Sequence, residues 1–203
     1  MKTHTFTYKE IFNSAWSKTK EHAWFLFRAF LIAVLIMGAG KFLFILSPFI
    51  DLLVSIAILT ISLIIAHGKT PVFSDLLRSF ENYKITWHYL LASLLSVIII
   101  GIGILLLVLP GIYLAVRLQF YKFLIIEHEN MGVIESLKKS MAMTQGKFWK
   151  LFGFMILVIL FNILGLIPFG LGLIFTIPIS ILAHAFLYKK LALQTHTAKN
   201  TVS

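Results

Sequence analysis

Six apolar runs constrain what this chain of 203 residues can fold into. A helix of about 20 apolar residues crosses the hydrocarbon core of a bilayer with its backbone hydrogen bonds satisfied internally. The runs are Trp24–Leu46, Leu52–Ala66, Trp87–Leu109, Ile112–Ile126, Trp149–Leu164 and Leu173–Tyr188. They predict an all-α integral membrane protein with six transmembrane helices in three hairpins.

Composition agrees with a membrane class, since 59% of the residues are hydrophobic and 13% are charged. Soluble domains have roughly 45–50% apolar and about 25% charged residues. The runs and their connections use nearly all of the chain, which leaves no room for a soluble catalytic domain. The N-terminal segment has too many polar residues for a cleavable signal, so we expect the first run to be retained.

An amphipathic segment precedes each predicted hairpin. Glu10–Phe27 and Ser74–Trp87 each carry an apolar stripe at helical spacing, flanked by charges. The third stripe consists of Ile134, Leu137, Met141, Thr144 and Phe148. These patterns are typical of helices that lie on a membrane surface. A polar lead-in to the next span is the simpler alternative.

A repeat supports this division. Trp24, Trp87 and Trp149 are 63 and then 62 residues apart, and Gly40, Gly103 and Gly165 follow the same spacing. Interfacial tryptophans of a membrane protein can also coincide by chance. We predict a single membrane domain over residues 1–191, with units at about 6–69, 70–130 and 131–191. Residues 192–203 are predicted to be a flexible cytoplasmic tail.

Charge predicts the topology. The chain has 18 Lys and Arg against 8 acidic residues, a net charge of +10. The turns within hairpins hold Lys41 and almost no other cation, whereas the opposite ends hold most of the lysines. By the positive-inside rule both termini are cytoplasmic. No nucleic-acid-binding motif accompanies the charge, so nucleic acid is not a predicted partner.

Arg117 is the most informative single residue. In a continuous helix over Ile112–Ile126 it lies near the middle of the bilayer, where a charge costs at least ~2.5–3.5 kcal/mol and needs a partner. Gln119 and Asn162 are neutral candidates, and Asp51 is the acidic residue expected in or beside a span. A structural clasp and a site for an anionic ligand are the two interpretations, and the clasp is favoured.

Lysines on the amphipathic segments are candidate contacts for anionic lipid, which a nearby cation attracts by about 1 kcal/mol. Topology anchoring is an equal alternative. The lysines are Lys18, Lys20, Lys138, Lys139, Lys147 and Lys150.

Catalytic, cofactor and metal signatures are missing from the sequence. It contains no HExxH, GxSxG or Walker loop and no cysteine. Five histidines fall near predicted cytoplasmic ends of spans without a helical i, i+3 or i, i+4 partner. We therefore predict no cofactor, no metal and no enzyme activity.

The central stretch contains a recognisable set of residues: Leu109-Pro110-Gly111-Ile112-Tyr113, Arg117, Phe120, Glu135-Ser136-Leu137, Ser140, Thr144, Gly146 and Phe148-Trp149. In these residues it resembles a family of small polytopic bacterial membrane proteins related to the membrane domain of some glycerophosphoryl diester phosphodiesterases. Ser136 and Met141 depart from the family pattern, in which alanine and tryptophan are usual at these positions. The resemblance implies the bacterial cytoplasmic membrane and lipid or envelope biology, without phosphodiesterase activity.

These features favour a non-enzymatic, multi-pass membrane protein that binds or organises lipids, anionic ones included, or partner proteins. A small transporter or channel with Arg117 in its pathway is the alternative, because Gly and Pro interrupt the spans. An intramembrane enzyme ranks last for lack of a paired acid, base or nucleophile.

Overall fold

A computed structural model of the chain describes residues 6–40, 47–72, 74–75, 83–106, 108–128, 130–167 and 172–200. These residues are overwhelmingly helical and contain no strand, which confirms the all-α prediction. In chain order the helices are α1 Tyr8–Glu21, α2 Ala23–Gly40, α3 Ser47–Ala66, α4 Tyr83–Leu106, α5 Val108–Leu118, α6 Tyr121–Glu127, α7 Val133–Met143, α8 Phe148–Leu166 and α9 Leu173–Asn200.

Four stretches of the described chain are long and apolar enough to cross a membrane: Tyr83–Leu105, Val108–Glu127, Phe148–Leu166 and Leu173–Gln194. A fifth is possible because α1 and α2 pass the same test together, although they bend by 87° at their junction. The apolar part of α3, Ile50–Ala66, is shorter. A multi-pass membrane protein follows from these lengths.

The helices divide into two compact units. The first takes the described residues of Met1–Glu81 and Val158–Lys190, and the second those of Asn82–Leu157 and Leu191–Ser203. Helices α8 and α9 contribute to both.

In the first unit, α1 is held by its apolar face and by one ion pair. Ile11 and Ala15 are buried, and the ring of Phe12 packs edge-on against Phe161 of α8 at 5.7 Å. Lys190 of α9 donates to the carboxylate of Glu10. The stripe predicted over Glu10–Phe27 is therefore not one helix. The chain bends at His22, between the amphipathic α1 and the apolar α2.

Helix α3 ends as its sequence predicts. Gly68 has φ of 78°, and the N–H groups of Gly68 and Lys69 donate to the carbonyls of Ile65 and Ile64. This is a Schellman motif, which favours glycine because a side chain is strained at positive φ. Lys189 of α9 donates to the carbonyl of Ala66 at 3.0 Å, so a lysine satisfies another terminal carbonyl of the helix.

In the second unit, α4 and α5 form a close antiparallel pair. Gly103 and Gly111 lie against each other in this pair. A Cβ on Gly111 would lie 2.3 Å from a side-chain carbon of Ile104. The sequence predicted a turn at Pro110–Gly111, but both residues lie in the first turn of α5. Proline fits there because the first N–H groups of a helix have no intrahelical acceptor.

The fourth predicted span, Ile112–Ile126, is not one continuous helix. Helix α5 ends at Leu118, Gln119 and Phe120 form a turn, and α6 begins at Tyr121. Helix α9 also differs from prediction, since it continues to Asn200 through most of the expected tail. Half of the predicted segment Ser74–Trp87, residues 76–82, lies outside the described residues. Asp75 accepts a hydrogen bond from the Val72 N–H.

Candidate functional site

The turn after α5 places Arg117 against α7, the amphipathic helix that follows in the chain. One terminal nitrogen of its guanidinium donates to the Tyr113 hydroxyl at 2.9 Å, and the other donates to the Met141 carbonyl at 2.7 Å. The guanidinium also lies over the Tyr113 ring, 5.4 Å from its centre. Arg117 is therefore held by two charge-assisted hydrogen bonds, one within its own helix and one, to the Met141 carbonyl, that joins this helix to α7.

The backbone at the same turn is held by hydroxyl groups of α7. Ser140 donates to the carbonyl of Arg117 at 3.0 Å and accepts from the Phe120 N–H at 3.3 Å. Thr144 donates to the Arg117 carbonyl at 3.2 Å and to the Ser140 carbonyl at 2.8 Å. Side chains of α7 thus satisfy backbone groups at the interruption of a predicted span, where lipid offers no alternative partner.

We call Tyr113, Arg117, Ser140, Met141 and Thr144 the Arg117 junction. Ser140 and Thr144 are completely buried in it. The sequence predicted Ile134, Leu137, Met141 and Thr144 as the apolar stripe of this helix, but the buried face is Ser136, Leu137, Ser140, Met143 and Thr144. Ile134 is 62% exposed, on the side of α7 away from Ser140 and Thr144 that bond to the end of α5.

The expected partners of Arg117 make other contacts. Gln119 donates to the carbonyl of Val116 at 2.9 Å. Asn162 belongs to the first unit, where it donates to the hydroxyl of Ser180 and the carbonyl of Val158. Asp51 is half-buried near the beginning of α3. Both hydrogen bonds of the guanidinium thus go to neutral acceptors, neither of which sequence reasoning proposed.

Of the four lysines after Arg117 that were predicted to contact lipid, two lie on α7 and two around the start of α8. Lys138 is exposed, and Lys139 and Lys150 are half-buried. Lys147 donates to the side-chain carbonyl of Gln194 at 2.8 Å. Burial lowers the pKa of its ammonium below the ordinary 10.5. Lys138 is therefore the most available of the four for contact with a membrane surface.

The two lysines predicted on α1 have partners within the helix. Lys18 forms an ion pair with Glu21 at 2.6 Å, which lowers the pKa of that carboxyl. Lys20 lies over the ring of Trp16 at 5.1 Å. Arg28 lies over Trp24 in the same way, at 5.4 Å. These cation–π pairs place positive charge beside exposed aromatic rings, as at a membrane interface.

Sequence reasoning missed Tyr113 and Met141 as partners of Arg117. The i, i+4 spacing of Tyr113 and Arg117 was a usable signal, because residues at this spacing are neighbours on a helix. The acceptor from Met141 is a backbone carbonyl 24 residues away, and every residue has one. No residue type could have indicated it.

Comparison with known proteins extends over the whole junction. A family model described as a domain of unknown function, DUF7847, matches residues 18–202. No curated protein and no solved structure matches the chain. The matched range covers parts of both compact units, so the similarity is not confined to the junction.

Proposed function

Because the chain belongs to the DUF7847 family, a domain of unknown function, we propose its role from its own geometry. It is a non-enzymatic integral membrane protein that binds and organises anionic lipid at one membrane surface. The observation that carries this proposal is the attachment of α7: Arg117 fixes the helix to the end of α5 while Ile134 and Lys138 remain exposed.

The outward face of α7 has the chemistry of an interfacial helix. Ile134 and Lys138 are four residues apart and therefore lie on one face. The apolar side chain can enter the acyl boundary while the lysine remains at the headgroups, where one cation contributes about 1 kcal/mol toward anionic lipid. Trp149, 78% exposed at the beginning of α8, supplies an aromatic anchor next to this helix in the chain.

The proposal includes the finer architecture expected from the sequence. Six spans in three hairpins, each preceded by an interfacial helix, place both termini and α7 in the cytoplasm. The resemblance to phosphodiesterase-linked membrane domains supports a bacterial cytoplasmic membrane. The basic residues around α7 support the cytoplasmic assignment.

The hydrogen bonds of the guanidinium support a clasp over a transport pathway. The Nε atom of Arg117 is buried and has no hydrogen-bond partner among the described residues, while both terminal nitrogens are bonded. A substrate-binding arginine in a transporter would need a water-filled approach to these donors. Arg117 therefore supports the structure that presents α7, and the lysines make the contact with lipid.

Lipid co-purification tests this proposal. The full chain is extracted from membranes in mild detergent, and bound phosphatidylglycerol and phosphatidylethanolamine are quantified by mass spectrometry. Wild-type protein should enrich the anionic lipid, and Lys138→Gln with Lys139→Gln should reduce the enrichment. Lys69→Gln removes an exposed charge outside α7 and is the matched control. Wild-type lipid identical to that of an unrelated six-span protein would refute the proposal.

A further inference from the structure

A shallow cleft opens at the beginning of α4. It has a volume of about 370 Å³, and its described lining residues are Tyr83, Lys84, Trp87, His88 and Asn130. The first four lie on the first two turns of the helix, and Asn130 lies between α6 and α7. Its size falls at the lower end of the range for ligand sites.

The chemistry of this cleft is that of a phosphate site. Lys84 supplies an exposed ammonium, and Asn130 supplies an exposed amide. The ring of His88 lines the cleft beside them. An ammonium and an amide both donate hydrogen bonds that phosphate oxygens accept, and those from the ammonium are charge-assisted.

The position of the cleft selects a lipid as the ligand. It lies at one end of a candidate span that runs from Tyr83 to Leu105, where headgroups are found. Trp87 is 57% exposed at its edge, and the side chains of Leu90, Leu91 and Leu94 continue outward-facing along the same helix. A headgroup in the cleft therefore has an apolar surface beside it for its acyl chains.

We propose that Tyr83, Lys84, Trp87, His88 and Asn130 form a binding site for the phosphate headgroup of one anionic phospholipid. Lys84 and Asn130 bind the phosphate oxygens, and Trp87 packs beside the glycerol and upper acyl chains. The inference rests on the proposed lipid-binding function and deepens it, since it assigns a discrete site besides the surface of α7.

Trp87 is itself the reporter for the test. Trp16→Phe, Trp24→Phe and Trp149→Phe leave it as the only tryptophan, and the full chain is placed in nanodiscs of mixed phosphatidylglycerol and phosphatidylethanolamine. One of the two lipids at a time carries brominated acyl chains, which quench a neighbouring indole. Stronger quenching by brominated phosphatidylglycerol at equal mole fraction is expected. Lys84→Gln with Asn130→Ala should lower this preference about fivefold, the loss of one cation near an anionic surface.

Controls separate the possible results. Lys138→Gln should leave the preference at Trp87 unchanged, and inorganic phosphate should not abolish it. Equal quenching by the two lipids, or a preference that survives Lys84→Gln with Asn130→Ala, would overturn the site. Loss of the preference on addition of inorganic phosphate would assign the cleft to the free anion and overturn the lipid assignment. If co-purified lipid is enriched through Lys138 and Lys139 while Trp87 shows no preference, the site fails and the proposed function stands.

Discussion

Arg117 stabilises the second unit through geometry that a lysine cannot reproduce. Its planar guanidinium reaches a hydroxyl one turn earlier in its own helix and a carbonyl of α7 at the same time. Lysine carries one nitrogen on a flexible stem and cannot hold both acceptors in this arrangement. The charge alone is therefore not sufficient for the junction.

Arg117→Lys should destabilise the protein, because a hydrogen bond to a charged group contributes about 1.5–3 kcal/mol. We expect a lower apparent Tm in detergent, and a larger decrease for Arg117→Gln. The matched control is Arg28→Lys, since exposed Arg28 donates at 3.4 Å to a carbonyl of its own helix and lies over Trp24. Equal Tm values for the Arg117→Lys and Arg28→Lys variants would contradict the clasp.

The ion pair of Glu10 with Lys190 gives α1 a pH-dependent attachment. The hydrogen bond and charge of Lys190 hold the pKa of Glu10 below its ordinary 4.5. A carboxyl with a depressed pKa in the folded state stabilises the protein above its unfolded value, and this contribution is lost as the pH falls through the folded value. The pair is solvent-exposed, so the contribution is below ~1 kcal/mol.

Glu10→Gln should therefore lower the apparent Tm slightly at pH 7, and the difference from wild type should disappear as the pH is taken well below 4.5. Thermal melts in detergent over this pH range measure the difference. Lys190→Gln removes the same pair from the other side and should give the same pH dependence. A difference that persists at acid pH would show that Glu10 acts through another contact.

At the scale of elements, the approach of α4 and α5 depends on glycine. A Cβ on Gly103 would lie 3.0 Å from the Gly111 Cα, and a Cβ on Gly111 would lie 2.7 Å from the Ile104 backbone nitrogen. Gly165 and Gly172 approach each other similarly in the first unit, where a Cβ on Gly172 would lie 2.6 Å from the Gly165 carbonyl oxygen. Small residues allow this packing where lipid gives helices no hydrophobic reason to associate.

Gly111→Ala should separate α4 from α5 or force Ile104 and its backbone to shift, at a cost of about 1–3 kcal/mol for overpacking. Gly101→Ala is the matched control on the same hairpin, since a Cβ there meets nothing within 4 Å. Its Tm should equal or exceed that of wild type, because alanine favours helix over glycine. Similar melting of both variants would show that the pair tolerates a wider spacing.

Sequence predicts a helix end most accurately where the residues next to it determine that end. Helix α3 ends at Ala66, where its predicted apolar run ends, because Gly68 adopts positive φ and closes a Schellman motif within two residues. The turn at Gln119 and Phe120 has no glycine or proline to indicate it, and it is held by hydroxyls about 20 residues later. Sequence predicted that Arg117 needs a partner, but which acceptors it finds depends on where this turn directs α7.

At the scale of the whole molecule, the residues that the structure describes contain four to five candidate spans, whereas the sequence predicts six. The difference concerns the first hairpin. Helix α2 bends away from α1 by 87°, and the apolar part of α3 is only Ile50–Ala66. Lengths alone leave the number of crossings undecided there, whereas the positive-inside pattern requires each hairpin to return to the cytoplasm.

Single cysteines decide the topology, because the natural chain contains none and gives no background labelling. A membrane-impermeant maleimide applied to right-side-out vesicles should label the three hairpin ends and leave the other three positions unlabelled until the membrane is permeabilised. The outer set is Pro48→Cys, Leu109→Cys and Ile167→Cys, and the inner set is Asn13→Cys, Lys69→Cys and Gln145→Cys, all at exposed positions.

Labelling of Pro48→Cys shows whether the first hairpin crosses the membrane. If α2 and α3 both cross the membrane, residue 48 lies outside while Asn13 and Lys69 remain inside. If the pair only enters the cytoplasmic leaflet, Pro48→Cys stays unlabelled in sealed vesicles while Leu109→Cys still reacts, and the protein has four spans. Labelling of Gln145→Cys from outside would place α7 on the wrong surface. The lysines of α7 would then not contact the anionic lipids of the cytoplasmic leaflet.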